Sequence, residues 1–232
     1  MTIKAILFDK DGTLFHYAAT WGAWARSTLM HLTDGDADLA RRMGWEVGYR
    51  WDSDDFVSGS PIVHGEAEEI NRIWQASLPG LSVEEINRVA LHYIHNTAAA
   101  PVGDLNAILG GLVDAGFVLG VATNDFEEGA HKQLGDHGAS GHFAFIAGYD
   151  SGYGAKPEPG QILGFADHVG IDAMAVAMVG DSTHDLHAAA RANVGLKVGV
   201  LTGPAVEADI ADAADVVLPD ISHLERYLAQ LA

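Results

Sequence analysis

Six apolar runs of strand length, each closed by a polar cluster, constrain this chain more than any other feature. They are KAILFD (4–9), FVLGVATND (117–125), HFAFIAG (142–148), AVAMVGDS (175–182), LKVGVLTG (196–203) and ADVVLPD (214–220). The runs show no in/out alternation, which is the pattern of strands buried on both faces. A sheet of such strands needs helices over it. Segments with helical spacing fall between the runs: DLNAILGGLVDAG, EEGAHKQLGDHG, PGQILGFADHVG and HDLHAAARAN. The alternation predicts an α/β fold, a doubly wound parallel sheet.

Residues 16–99 break the rhythm. AATWGAWARSTLMHL, ADLARRMGWEVGYR, PIVHGEAEEINRIWQ and SVEEINRVALHYIHN read as helices, with no convincing strand among them. Ser82 followed by Val83-Glu84-Glu85 makes a capping box, and Ser60-Pro61 offers a cap with proline at the first helical position. The expected organisation is a core from 1–15 and 100–232, with an all-helical subdomain at 16–99. The insert leaves after the first strand and returns near AAAPVGD, so it is expected to hang above that strand's carboxyl end. Trp21, Trp24, Trp45, Trp51 and Trp74 all fall inside it and are expected to pack its small core, with one or two lining the entrance to a ligand site.

Charge narrows the partners. Thirty-two Asp and Glu against thirteen Lys and Arg leave a formal charge of −19. That field disfavours nucleic acid and anionic membranes, so an anionic small molecule needs a local cluster of positive groups or metal. With no cysteine there is no disulfide framework, and the composition fits a reducing cytoplasm. MTIKAILF is too short an apolar run for a signal peptide, and no stretch reaches the ~20 apolar residues of a membrane span. The expectation is a cytoplasmic protein.

Ligands of open parallel sheets bind beyond the carboxyl ends of the strands, so those ends carry the functional signal. Asp9 and Asp11 follow the first run, Thr123 and Asn124 end the second, and Asp181 and Asp185 follow the fourth. Lys156, one of five lysines, lies in the loop after FAFIAG. Carboxylates gathered at one edge repel one another unless a cation neutralises them, and an all-oxygen cluster suits Mg²⁺. An isolated strand-end Asp commonly just caps a helix or makes a turn. Asp185 also suits a helix's first turn. Lys10, between the two carboxylates, is expected to point to the opposite side from Asp9 and to serve as a local charge partner.

The set resembles the haloacid dehalogenase superfamily of phosphohydrolases, whose four signatures stand here in order: FDKDGTL, VATN, the lysine of AKPEP, and GDSTHD. The likeness is to its phosphoglycolate-phosphatase-like members, and the helical insert resembles the family's mobile cap by position and composition. The resemblance implies a Mg²⁺-dependent phosphomonoesterase that hydrolyses a small-metabolite phosphate, phosphoglycolate-like or a sugar phosphate, through an aspartyl phosphate. Asp9 would be the nucleophile and a metal ligand. Asp11 would be the proton shuttle and give its carbonyl to the metal. Asp181 would ligate Mg²⁺ directly, with Asp185 holding it or its waters. Thr123, the N–H of Asn124, and Lys156 would bind the phosphoryl group. Gly12 allows the sharp turn and Thr13 is expected to cap it.

Other chemistries fit less well. Dehalogenases of the superfamily lack the second carboxylate, present here as Asp11, and phosphonatases use a cap lysine, whereas no lysine lies between Lys10 and Lys132. A sugar phosphomutase on the same core and a noncatalytic phosphate-binding module remain as alternatives. None of the twelve histidines is assigned to metal, since no HExxH spacing occurs. Arg50, Arg72 and His64 are candidates to meet a second substrate anion.

Overall fold

In the computed structural model the six apolar runs form one sheet. Residues 2–65 and 67–231 are described, His64 and His95 by their backbone alone. In chain order the strands are β1 (Ala5–Phe8), β2 (Tyr49–Arg50), β3 (Asp55–Phe56), β4 (Val118–Ala122), β5 (Phe143–Ala147), β6 (Val176–Gly180), β7 (Leu196–Val200) and β8 (Val216–Leu218). All but β2 and β3 belong to a six-stranded sheet of order β5-β4-β1-β6-β7-β8, with every pairing parallel. The apolar runs end where this sheet ends. Helices flank it, so the α/β reading holds.

Register positions the functional residues. Phe8 lies opposite Val121 on one side and Val179 on the other. The residues that follow, Asp9, Ala122-Thr123 and Gly180-Asp181, therefore emerge at nearly one level of the sheet edge. From β1 the chain builds outward through β4 and β5, then returns to β6 on the other flank of β1. That reversal beside β1 is where such sheets bind ligands. Below it, Leu7, Phe145, Ile162, Phe165 and Met178 make one buried cluster joining the sheet to the helix Gly160–Val169. Each such side chain contributes about 1.5–3 kcal/mol by leaving water.

The chain divides into two compact units, one running to His16 and resuming at Pro101, the other Tyr17–Ala100. In the first unit, Phe15 bridges Pro101 and Val102 N–H donates to the Leu14 carbonyl at 3.0 Å, so the departing and returning chain lie side by side. The second unit contains helices Tyr17–Leu32, Ala37–Val47, Pro61–His64, Ala67–Ser77 and Val83–Asn96. Trp24, Leu29, Met43, Tyr49, Trp74 and Ile86 form its buried centre. Ser82 and Glu85 make the expected capping box, at 3.2 and 2.8 Å.

The second unit departs from its sequence reading in four places. It is not all helical, because β2 and β3 pair antiparallel, with the Tyr49 and Phe56 rings packed 5.2 Å apart. Two residues per strand are too few to show a period. Gly48, at φ 89°, ends the helix Ala37–Val47 and releases Tyr49 into β2. The segment read as one helix from Pro61 is two, and Ser60 makes no side-chain cap: its buried Oγ has no partner among the described residues. Trp45 is 68% exposed instead of packed, because Ala40, Met43, Gly44 and Val47 form the buried stripe of its helix and position 45 lies off it. Among the described residues no helix is long and apolar enough to cross a membrane.

Candidate active site

Four side chains at the strand-end edge share one buried, charged cluster. Asp9, Lys156, Asp181 and Asp185 are each nearly inaccessible to solvent. Lys156 is its hub: Nζ donates to Asp9 Oδ1 at 2.5 Å, to Asp185 Oδ1 at 2.6 Å and to the Ala122 carbonyl at 2.8 Å. Those three acceptors use all three ammonium protons. Asn124 orients the lysine, because its side chain accepts from Lys156 N–H at 2.8 Å and donates to the Lys156 carbonyl at 2.9 Å. The side chain of Asn124 thus clamps the lysine loop. Asp185 also accepts from Ser182 N–H at 3.1 Å and Ser182 Oγ at 2.7 Å, at the start of the helix Thr183–Ala192. Its cap and cluster roles coexist.

Asp181 is seated by two glycines. A Cβ on Gly203 would lie 1.7 Å from Asp181 Oδ2, and one on Gly12 would lie 2.5 Å from the same atom. Gly12 also takes φ 82°, which L side chains rarely adopt, so two requirements coincide there. Thr202 Oγ donates to the Gly12 carbonyl at 2.6 Å and ties the loop after β7 to the turn after β1. Thr13 does not cap that turn, since its buried Oγ has no partner among the described residues. Thr123 is buried, with its carbonyl accepting from Gln161 Nε2 at 2.9 Å and its hydroxyl from Asp125 N–H at 3.1 Å.

Electrostatics follows from three carboxylates facing one ammonium. Burial, then the nearby Asp185 and Asp11 charges, outweigh Lys156 and raise Asp9 from 3.8 to about 7. Burial also raises Asp181 well above the usual carboxylate value, with Asp9 and Asp185 adding to it. For Lys156 burial acts downward, but Asp185 and Asp9 outweigh it and hold the group above its ordinary range. The lysine keeps its charge, while burial and the neighbouring carboxylates favour the protonated forms of Asp9 and Asp181. Among the described residues, Asp9, Asp181 and Asp185 are the one group of three metal-ligating side chains, with ligand atoms within 4.8 Å of one another. A buried, anionic, all-oxygen donor set fits a hard cation such as Mg²⁺.

Asp11 stands apart from that group. Its Oδ2 lies 2.6 Å from Nζ of Lys10, whose fully buried side chain also reaches Asp125 Oδ2 at 3.1 Å and Gln133 Oε1. For Lys10, too, burial acts downward and is outweighed, here by Asp11 and Asp125, so it stays charged.

Residues 3–193 match the model of the haloacid dehalogenase-like hydrolase family. The chain belongs to that family. Among curated relatives, it is 48% identical over 69 residues to the D-glycero-beta-D-manno-heptose-1,7-bisphosphate 7-phosphatase of Salmonella typhi, a match covering 30% of this chain and 37% of that protein. The match spans little more than a third of that relative's length. The phosphoglycolate phosphatase of Mesorhizobium japonicum is 29% identical over 200 residues, covering 84% of this chain and 81% of the relative. The crystal structure of a predicted phosphoglycolate phosphatase from Haemophilus somnus superposes with a TM-score of 0.74 at 19% identity, covering 98% of each chain. This chain shares that protein's fold.

Of the residues singled out by sequence, Asp9, Lys156, Asp181 and Asp185 meet in one cluster, Thr123 and Asn124 sit beside it, and the Asp11 carboxylate turns to Lys10. Arg72 pairs with Glu68 at 2.5 Å on an exposed helix face. Arg50 lines, with Arg41, Arg42, Trp45 and Trp51, a cleft of about 680 Å³ within the inserted unit. The side chain of His64 lies outside the described residues. Sequence reading missed Gly203, Gln161 and Asp125. Only a glycine in LTG just past the end of β7 hinted at the first.

Proposed function

We propose that the chain is a Mg²⁺-dependent phosphomonoesterase acting on a small phosphorylated metabolite through an aspartyl phosphate on Asp9. The observation that carries this reading is the buried Asp9–Lys156–Asp185 chain beside Asp181, at the strand edge where β1 meets β4 and β6. A carboxylate with an ammonium fixed on one oxygen is oriented for attack through the other.

The roles divide as follows. An Asp9 oxygen attacks phosphorus, forming a P–O bond as the bond to the departing alkoxide breaks. Asp11, as the carboxylic acid, gives that alkoxide its proton, and the carboxylate left behind takes one from the water that cleaves the phosphoaspartate, releasing phosphate and restoring the Asp9 carboxylate and the Asp11 acid. Lys156, Thr123 and the N–H of Asn124 offset charge on the phosphoryl oxygens. Asp9, Asp181 and Asp185 would hold Mg²⁺, with the Asp11 carbonyl as a further ligand. Bound there, the ion supplies charge neutralisation to the cluster and to the phosphoryl group. The names of the Mesorhizobium and Salmonella relatives support a small carboxylate-bearing or sugar phosphate as substrate class.

The experiment is a phosphate-release screen of the purified chain, with Mg²⁺ and with chelator, over p-nitrophenyl phosphate and a panel of metabolite phosphomonoesters. Mg²⁺-dependent release is the expected result. Release that ignores chelator, or none from any ester, overturns the reading; isomerisation of a sugar phosphate without net release makes the chain a mutase instead.

A further inference from the structure

We propose that Lys10 is a positioning residue for Asp11, holding its carboxylate where it can serve the leaving group and the hydrolytic water in turn. The inference rests on the aspartyl-phosphate reading above. Lys10 sits between Asp9 and Asp11 in sequence, yet its ammonium goes to Asp11, Asp125 and Gln133. Asp9 is served by a different lysine, Lys156. The two carboxylates after β1 are therefore held by separate ammonium groups.

The placement of Lys10 is costly unless it does something. A fully buried ammonium loses hydration that its partners must replace, and an apolar side chain of similar length would fill the same space without that cost. What the charge adds is a rigid link between elements far apart in sequence. Asp125 is itself immobilised: its Oδ1 accepts from Phe126 N–H at 2.8 Å, its N–H donates to Thr123 Oγ, and its carbonyl accepts from Tyr149 N–H at 3.1 Å. Gln133 belongs to the helix Glu127–Asp136. Through Lys10, Asp11 Oδ2 is thus tied to the loop after β4 and to the helix that follows, as well as to its own turn.

Such a tie matters for a group with two duties. Proton transfer needs a heavy-atom separation of about 2.6–3.2 Å in both half-reactions, and a misplacement of about 1 Å costs on the order of 10²-fold. Lys10 touches neither phosphoryl group nor nucleophile in this scheme. Its loss is expected to harm only the steps that need a proton moved.

The test is rapid-quench kinetics of Lys10→Met, in the full chain with Mg²⁺, on p-nitrophenyl phosphate and on glycerol phosphate. Nitrophenolate departs without a proton, so the expected burst keeps a rate within about 3-fold of wild type, while the following turnover falls roughly 10- to 100-fold. Glycerol phosphate, whose alkoxide needs the proton, should lose at least as much in its first step. In an Asp11→Asn background, Lys10→Met should cost nothing further, because the pair acts as one unit. Burst and turnover falling together, or a loss that adds fully to that of Asp11→Asn, overturns the proposal. If Lys10→Met does not fold, Gln133→Leu removes one anchor, and it should reproduce the leaving-group dependence on a smaller scale; equal loss on both esters overturns the proposal. If wild type forms no phosphoenzyme on Asp9, the functional reading falls first and the role of Lys10 with it.

Discussion

The strand-end edge of the core and the surface of the inserted unit hold their charges in opposite ways. At the edge, Asp9, Lys10, Lys156, Asp181 and Asp185 are buried, and the two lysines are saturated by named partners. In the inserted unit, Arg72–Glu68, Arg41–Asp52 and Arg26–Asp54 lie in the open. Exposed pairs contribute about 0–1 kcal/mol each, whereas removing one partner of a buried pair costs about 3–5 kcal/mol. Arginine on the outside and aspartate on the inside therefore mean different things. The first ties a helix to its own next turn or to the β2–β3 turn at little energetic consequence; the second holds charge ready for a reaction.

The sharpest way to break this contrast is Asp9→Asn. The amide keeps the shape of the side chain but has no ionised oxygen to attack phosphorus, so turnover should fall by on the order of 10⁴-fold or more, with circular dichroism unchanged. Retained activity would remove the chemical meaning of the edge. Lys156→Met comes next. It strips the ammonium from Asp9 and Asp185 together, and should lower turnover by roughly 10²- to 10³-fold and also lower the melting temperature. An unchanged melting temperature would show that the buried charges do not depend on one another as described.

A smaller effect concerns pH. Burial raises Asp9 from 3.8 to about 7, so between those values the folded, metal-free chain holds a proton that the unfolded chain has released. Its stability therefore falls as pH rises through that window. Mg²⁺ opposes this by neutralising the cluster, so the rise in melting temperature on adding Mg²⁺ should be small near pH 5 and grow to several degrees near pH 7.5. A Mg²⁺ effect that is flat or shrinking over this range would contradict the raised affinity of Asp9 for its proton in the metal-free cluster. The smallest expected effect is on the exposed side of the comparison. Arg72→Ala should change p-nitrophenyl phosphate turnover less than about 2-fold and the stability by less than about 0.5 kcal/mol, measured by steady-state kinetics and urea unfolding.

What the sequence made legible divides along the same line. The core strands could be read because uninterrupted apolar runs have one economical solution, a covered parallel sheet. Asp9 and Asp181 could be read because strand ends converge at one edge whatever the connecting loops do, and Lys156 and Asp185, in the loop and helix beyond them, because they stand in the recognised signatures. The β2–β3 hairpin was hidden by its two-residue strands, and the exposure of Trp45 by its place off the 40/43/44/47 stripe, which residue type alone does not show. The network around Lys10 was only half visible. Alternation along β1 gave its direction away from Asp9, but Gln133 lies 123 residues away, and nothing local announces such a partner. Gly203 was hidden for the same reason: its need for a missing Cβ arises only when the loop after β7 closes on Asp181.

The two carboxylates after β1 have separate duties in this mechanism, and Asp11→Asn separates them most directly. Mixed with p-nitrophenyl phosphate and Mg²⁺ and quenched rapidly, this variant should release a burst of about one nitrophenolate per chain, then turn over some 10²- to 10⁴-fold more slowly than wild type, because only the second step needs Asp11. Intact mass of the quenched protein should show one added phosphoryl group, mapped by peptide to Asp9. No burst and no phosphorylated chain, or a variant as fast as wild type, would contradict the division of labour at its centre.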